Sequence, residues 1–400
     1  MALAAFQGFE YMKPTALYTT QLAAIDLANY LGFALPANTA NWFKDASGGY
    51  STASGPLIVA TDYRVAGQSL QIQRPDAGTY NADFNGTKPI PIQYNLAVTN
   101  RVVLGFGFKF DKLPNQAICL VQFGYDDGVS NVEQASLWLS TSGMLFFSSV
   151  SFDMANTGLI TPAMIAGLST PPGALRVNIW SYVEVMLDMI GATPYVSINV
   201  NGVAVLTQAY SAGLRKAATA LITSAAIVNN HNGYFTGGYT HWIDDIYVLR
   251  SQTGLPNTML GPQQIIYLKP NGATATTNWT PAAGANYANV NTLFDPTALT
   301  AYVQQTATNQ IDIYTVDDLA ASIGNVTAVA ARTFTGLLSA GSGGIISRLY
   351  NSAGTYIDSG GIPITSTAPR VVSMYSTAGP GGVALTPTVV NDLQVGIDGV

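Results

Sequence analysis

The chain has 400 residues, 48% of them hydrophobic, which is enough for two ordinary domains or one large and one small. Asp, Glu, Lys and Arg make up only 10% of it, against about 25% in ordinary soluble domains, so its surface is solvated mainly by Ser, Thr, Asn, Gln and backbone. A net charge of −6 with 16 scattered basic residues excludes a nucleic-acid surface, and the absence of any 18-residue apolar run excludes a helical membrane span.

The first residues carry neither a basic segment nor an apolar stretch of signal-peptide length, so the expectation is a protein made in a cytoplasm and soluble until assembled. A strand-like opening at Phe6 to Tyr11 precedes Thr19 to Gly32, where Leu22, Ile25 and Tyr30 give a rough helical period between a Thr cap and a Gly stop. The texture then changes to strands: Gln68 to Gln73, Arg101 to Phe110, Ala117 to Phe123, Ala135 to Leu139, Met144 to Ser148, Trp180 to Met189, Tyr195 to Asn199, Val203 to Thr207 and Trp242 to Leu249. Most alternate with period two and end at Gly, Pro, Asn or Asp. Asn201-Gly202 predicts a tight hairpin, because this pair supplies the two positive φ values of a type I′ turn. Cys119, the one cysteine, lies in an apolar run and reads as an inert buried thiol.

From Arg250 to Pro262 the chain is rich in turn formers and reads as a connection. Strand-length segments resume at Gln264 to Leu268 and recur at Ile311 to Tyr314, Val326 to Ala331, Gly344 to Leu349, Arg370 to Tyr375 and Leu393 to Ile397, with a helical turn expected near Asp317 to Ile323. Many short strands without alternating helices predict an all-β protein: a large antiparallel sandwich over 51–250, a connection over 251–263 and a smaller β-sandwich over 264–400. Residues 1–50 hold the opening strand and the short helix.

The order Arg64-Val-Ala-Gly-Gln-Ser-Leu-Gln-Ile, Trp180-Ser-Tyr-Val-Glu-Val, Val200-Asn-Gly and Trp242-Ile-Asp-Asp-Ile-Tyr-Val resembles laminin-G and concanavalin-like domains, which implies a jelly-roll sandwich for this part of the chain. The resemblance implies an early strand, a central strand entered by Trp180, a hairpin at Asn201 and Gly202, and a closing strand from Trp242. Further on, Gly261-Pro-Gln-Gln-Ile-Ile-Tyr-Leu-Lys-Pro270, Asn278-Trp-Thr-Pro-Ala-Ala-Gly284, Asn286-Tyr-Ala-Asn-Val-Asn and Thr308-Asn-Gln-Ile-Asp-Ile-Tyr-Thr resemble bacteriophage virion proteins of the tail-appendage, fibre or decoration kind. Lys13 to Tyr50 has no counterpart in either and is a candidate attachment arm.

Chemistry-bearing residues are sparse. Glycoside hydrolysis needs two carboxylates, and the only Glu residues are Glu10, Glu133 and Glu184; Glu184 and Asp188 share a face by period two, with two solvent-facing residues as the plainer reading. His231, expected in a loop, and His241 are the only histidines, which excludes a His-rich metal site, and there is no Gly-x-Ser-x-Gly elbow. The concanavalin-like resemblance implies calcium in the loop of Asp126, Asp127 and Asn131, against a solvated turn as the competing reading; no other cofactor is indicated. Tyr234, Phe235 and Tyr239 are candidates to stack on a sugar or to contact another subunit. Strict alternation puts Ile243, Asp245 and Tyr247 on one face and Trp242, Asp244, Ile246 and Val248 on the other, so one Asp must turn inward, and Asp245 is expected to fix a loop by hydrogen bonds. The expectation is a non-enzymatic structural component of a phage particle, a homo-oligomer such as a trimer packed against other virion proteins. The alternative is a host-glycan receptor-binding protein that uses the sandwich loops.

Overall fold

The computed structural model describes residues 2–9, 56–59, 62–65, 67–74, 92–114, 117–126, 131–148, 169–189, 195–209, 221–231, 239–251, 258–293, 300–339, 341–365, 367 and 370–400. The chain forms two compact units, the first running through Ile265 and the second from Ile266 to Val400. Both are built from antiparallel sheets, and the fold is all-β with two short α-helices and one 3-10 turn among the described residues.

The first unit contains β1 (Ala2–Gln7), β2 (Pro56–Val59), β3 (Ser69–Arg74), β4 (Ile92–Thr99), β5 (Arg101–Phe110), β6 (Ile118–Asp126), β7 (Asn131–Leu139), β8 (Leu145–Ser148), β9 (Ser181–Asp188), β10 (Tyr195–Val200), β11 (Val203–Ala209), β12 (Ile222–His231) and β13 (Tyr239–Arg250). One sheet has the order β11-β10-β9-β5-β13-β3-β2, with β1 also pairing β13; the other has the order β4-β12-β6-β7-β8. Together they make a sandwich. Its core is set by period two on β5, where Val102, Leu104, Phe106, Phe108 and Phe110 are buried on one face. Phe106 and Phe108 meet edge to face at 6.1 Å, and the His241 ring lies 5.7 Å from Phe108, so His241 is a packed core residue. Cys119 is buried with Trp138, Phe146 and Ala226, and its Sγ donates to the Val121 carbonyl at 3.4 Å.

Several expectations change. The opening strand is Ala2–Gln7 and so begins earlier than Phe6, whereas the Thr19 to Gly32 helix and the attachment arm lie outside the described residues. His231 is the last residue of β12, paired with Ile118, and therefore is not in a loop. The residues read as a connection are, over 258–263, part of the first unit. No strand forms over 264–268; β14 begins at Pro270. The expected helical turn near Asp317 is a single turn closed by Ile323 N–H donating to the Ala320 carbonyl at 3.0 Å.

The second unit contains β14 (Pro270–Thr277), β15 (Thr280–Pro281), α1 (Asn286–Val290), β16 (Val303–Gln304), β17 (Ile311–Val316), β18 (Val329–Thr335), β19 (Gly343–Tyr350), β20 (Tyr356–Asp358), β21 (Ile362–Ile364), β22 (Arg370–Ser376), α2 (Pro387–Asn391) and β23 (Gln394–Gly399). The sheet β14-β17-β23-β19-β20, with β21 also on β19, is faced by the β18–β22 pair. Ala331, Leu349 and Met374 fill one part of the space between them, and Ile345, Ile364 and Val372 the other.

The β10–β11 hairpin is the tight turn that Asn201-Gly202 demands: φ is 52° at Asn201 and 78° at Gly202, and Val200 pairs Val203 across it. The Asn201 side chain also accepts from Tyr182 N–H at 2.8 Å, tying the turn to the neighbouring strand. Gly202→Ala is expected to lower the stability of the first unit by about 1 kcal/mol through its positive φ. A Cβ there would also meet Pro262 Cδ at 3.2 Å. The check is a lowered denaturation midpoint at unchanged m.

Candidate functional site

The outer face of the large sheet, turned away from the five-stranded one, carries the unusual chemistry. On β5 this face presents Val103, Gly105, Gly107 and Lys109 in succession. A side chain at Gly105 would strike the Tyr247 ring, and one at Gly107 would meet Arg64 Cδ at 2.9 Å. The two glycines form a trough into which Tyr247 and the Arg64 stem settle.

β13 reaches this trough through a bulge. Asp244 pairs Gly107 and Tyr247 pairs Gly105, so three steps on β13 match two on β5, and Asp245 takes up the extra residue with φ of 48°. The strict alternation expected from sequence is therefore broken. Past the bulge, Ile246 and Val248 join Ile243 on the core side, while Tyr247 and Leu249 join Trp242 and Asp244 outside. Asp244 and Asp245 are both buried.

Arg64 reaches these acids from the loop before β3. Its Nε and Nη2 lie 2.8 Å and 2.7 Å from Asp245 Oδ2, and its backbone N–H donates to Asp244 Oδ2 at 3.1 Å. The guanidinium stands over the Tyr182 ring at 4.8 Å, and the Tyr182 hydroxyl donates to the Asp245 carbonyl at 3.0 Å. Asp245 Oδ1 accepts from Ile265 N–H at 2.7 Å, and Asp244 Oδ1 accepts from Asp245 N–H at 2.8 Å. Burial, then the Asp245 charge, pushes the Asp244 carboxyl up to about 7. Burial also raises Asp245, with Arg64 opposing it.

Glu184 completes the cluster and corrects the expectation of a solvent-facing residue: it is fully buried, because the chain between β13 and the second unit closes over β9. Its Oε1 accepts from the Tyr247 hydroxyl at 2.5 Å and from Gly261 N–H at 2.8 Å, while Oε2 meets no donor among the described residues. Asp188 does not pair with it; Asp188 forms an ion pair with Arg101. Burial, followed by the Glu184 charge, raises the Tyr247 hydroxyl far above its ordinary range.

Beyond Arg64, Asp62 Oδ1 accepts from Trp180 Nε1 at 3.0 Å, Asp62 Oδ2 pairs with Lys109 Nζ at 2.5 Å, and Lys109 stands 5.1 Å from the Trp242 ring centroid. Trp242 on β13 and Trp180, the residue before β9, thus anchor the same cluster of Asp62 and Lys109. Of the metal candidates, Asp126 and Asn131 are paired ends of β6 and β7, their side chains and all of Asp127 lying outside the described residues. Tyr234 and Phe235 also lie outside them, and Tyr239 opens β13 opposite Arg74. Among the described residues no three His, Cys, Asp or Glu converge as a metal site.

In the second unit, residues from the segments Asn278 to Gly284, Asn286 to Asn291 and Thr308 to Thr315 meet around one carboxylate. Asp312, fully buried, accepts at Oδ1 from Trp279 N–H (2.8 Å) and at Oδ2 from Asn286 Nδ2 (2.6 Å) and the Tyr314 hydroxyl (2.5 Å). Trp279 Nε1 donates to the Gln310 carbonyl at 2.8 Å, and Asn289 Nδ2 caps the Ala283 and Ala285 carbonyls at 2.5 Å and 2.9 Å. Burial raises the Tyr314 hydroxyl, with Asp312 adding to it. The motif residues are spent on shape. Sequence reading did not find this role, since only the fold brings the three segments together.

No family model matches the chain, and no curated protein matches it. Among solved structures it is similar to a family 7 alginate lyase, A1-II′ (15% identity, 52% of this chain and 91% of that one, TM-score 0.35). Others are the Chlorella virus alginate lyase vAL-1 (8%, 48% and 89%, 0.31) and a human gut microbiota endo-acting O-glycanase (13%, 63% and 100%, 0.33). At these identities and TM-scores no activity carries over.

Two substitutions probe these clusters. Gly105→Ala is expected to cost about 1–3 kcal/mol, because its methyl must displace the buried Tyr247 ring. Asp312→Ala, which strands three donors, is expected to cost about 3 kcal/mol and to lower the melting of the second unit. Calorimetry that shows neither loss would remove the roles assigned here.

Proposed function

We propose that this chain is a non-catalytic structural component of a bacteriophage particle, in a tail, neck or capsid-surface appendage, and that it acts by packing against copies of itself and other virion proteins. The observation that carries this reading is where the few charges go. Arg64, Asp244, Asp245 and Glu184 are committed to holding the protein's own chain on the outer face of the large sheet. Asp312 does the same in the second unit. The described surface left over is sparsely charged, with Lys112, Arg176, Asp318, Asp358 and Asp392 exposed on it, and is dotted with exposed Val98, Val203 and Leu338. Such surfaces associate with few charges to desolvate, as in interface cores depleted of Lys, Glu and Asp. The phage setting rests on the resemblance of the segments around Asn278, Asn286 and Thr308 to tail-appendage and decoration proteins.

A host-glycan-binding role is the second reading. It is favoured by Tyr63, 40% exposed and next in sequence to Asp62, which holds Trp180; an aromatic beside fixed polar groups suits a sugar face. The deciding experiment is a reconstruction of mature particles from a phage carrying this gene, with mass spectrometry of the purified particles. Two linked sandwiches at a symmetric position are expected; absence of the chain from the particles, together with binding of the purified chain to host polysaccharide, would replace the first reading by the second.

A further inference from the structure

The large sheet of the first unit ends on β2 at one side and β11 at the other, and the two strands are finished differently. β2 is four residues long and opens on Pro56, features that discourage further pairing. β11 is seven residues long, and Val203–Ala209 contains no Pro, Gly or charged residue. From 195 to 209, through β10, the turn and β11, the chain has no Asp, Glu, Lys, Arg or His. An edge of this kind presents backbone N–H and C=O groups with nothing to deter another strand. A bulge at Val205, between the pairs Asn199–Ala204 and Ile198–Leu206, is the one blunting device, and it leaves Leu206 to Ala209 in regular register.

The side chains add to the open ladder. Val196, Ile198 and Val200 of β10 are buried on the core face. Residues directly opposite share a face, so Val203, opposite Val200, and Leu206, opposite Ile198, project from the core face too. Yet Val203 is 64% exposed where Val200 is 8%. The apolar face of the sheet thus continues onto its last strand after its cover has ended.

We propose that β11 pairs antiparallel with β11 of a second copy of this chain, so that the large sheet runs on through both molecules. About a two-fold axis normal to the sheet the strands run antiparallel and both apolar ledges stay on one side. Full overlap of the seven residues sets Leu206 at the axis, opposite its own counterpart. Such symmetry would bring any charge on the strand close to its own copy; β11 has none and meets no like-charge penalty. An acidic or basic partner would find no ionic contact here, whereas an isologous contact uses up both open edges at once. The inference deepens the packing role proposed above and rests on its self-association, independently of the phage setting. A ladder this short is a small interface, so the expected dissociation constant is on the order of 10–100 µM.

The test is sedimentation equilibrium of the full chain, with the mass expected to climb from 42.0 kDa toward twice that value as concentration rises, and added salt not weakening the association. Thr207→Lys, at an exposed position opposite Ser197, should raise the dissociation constant at least about tenfold at an unchanged melting temperature. Native Cys119 is buried, so single added cysteines report the contact. Leu206→Cys should give a covalent dimer on oxidation, and Val98→Cys, at a position 63% exposed on β4, should not. Should Thr207→Lys not fold, the cysteine pair decides. A mass of 42.0 kDa at every concentration, a mass of three chains, association unchanged by Thr207→Lys, or equal cross-linking at the two cysteines would overturn the pairing. A monomeric chain that is nevertheless present in particles would sink the pairing and leave the proposed function standing; a dimer absent from particles would do the reverse.

Discussion

Burying the Arg64–Asp245 ion pair on the outside of a sheet is the constraint from which the first unit takes its shape. A desolvated pair stands only when its remaining donors and acceptors are met, and the sheet alone cannot meet them. The bulge at Asp245 aims the carboxylate outward, Gly107 leaves room for the arginine stem, Tyr182 supplies a ring face and a hydroxyl, and the chain after β13 folds back to offer Ile265 N–H and the Gln263 carbonyl. Remove the bulge, and Tyr247 and Leu249 would rotate into the core while Ile246 and Val248 rotated out, because every residue past it changes face.

The second unit solves a related problem without a cation. Asp312 is also buried, but a backbone N–H, an amide and a phenol converge on it, so the carboxylate is fully bonded by neutral donors. Hydrogen bonds to a carboxylate favour its charged form and offset desolvation.

In a chain with so few charged residues, the use of several of them internally has a consequence for the outside. Glu184, Asp244, Asp245, Asp312 and Asp398 are all buried, Asp398 paired with Arg348 at 2.7 Å. Among the described residues, what reaches solvent is carried mostly by hydroxyls, amides and backbone, with isolated apolar side chains and a few charges such as Lys112, Arg176 and Asp318.

The sequence by itself determined the strands with clear alternation. Arg101 to Phe110 was readable to the residue, as was the Asn201-Gly202 turn, because period two and the φ preferences of Asn and Gly are local properties. Charge scarcity and the all-β class were equally plain in composition. What only the tertiary structure decided were the features that depend on neighbours distant in the chain. Glu184 looked like a solvent-facing residue until residues 258–265 closed over it, and those residues looked like a connection because their hydrogen bonds go to side chains and leave no periodic trace. The bulge was hidden for a related reason. A positive φ at Asp245 is a cost that Asp tolerates but does not require, and it is imposed by Arg64 and Ile265, which lie 181 and 20 residues away in the chain.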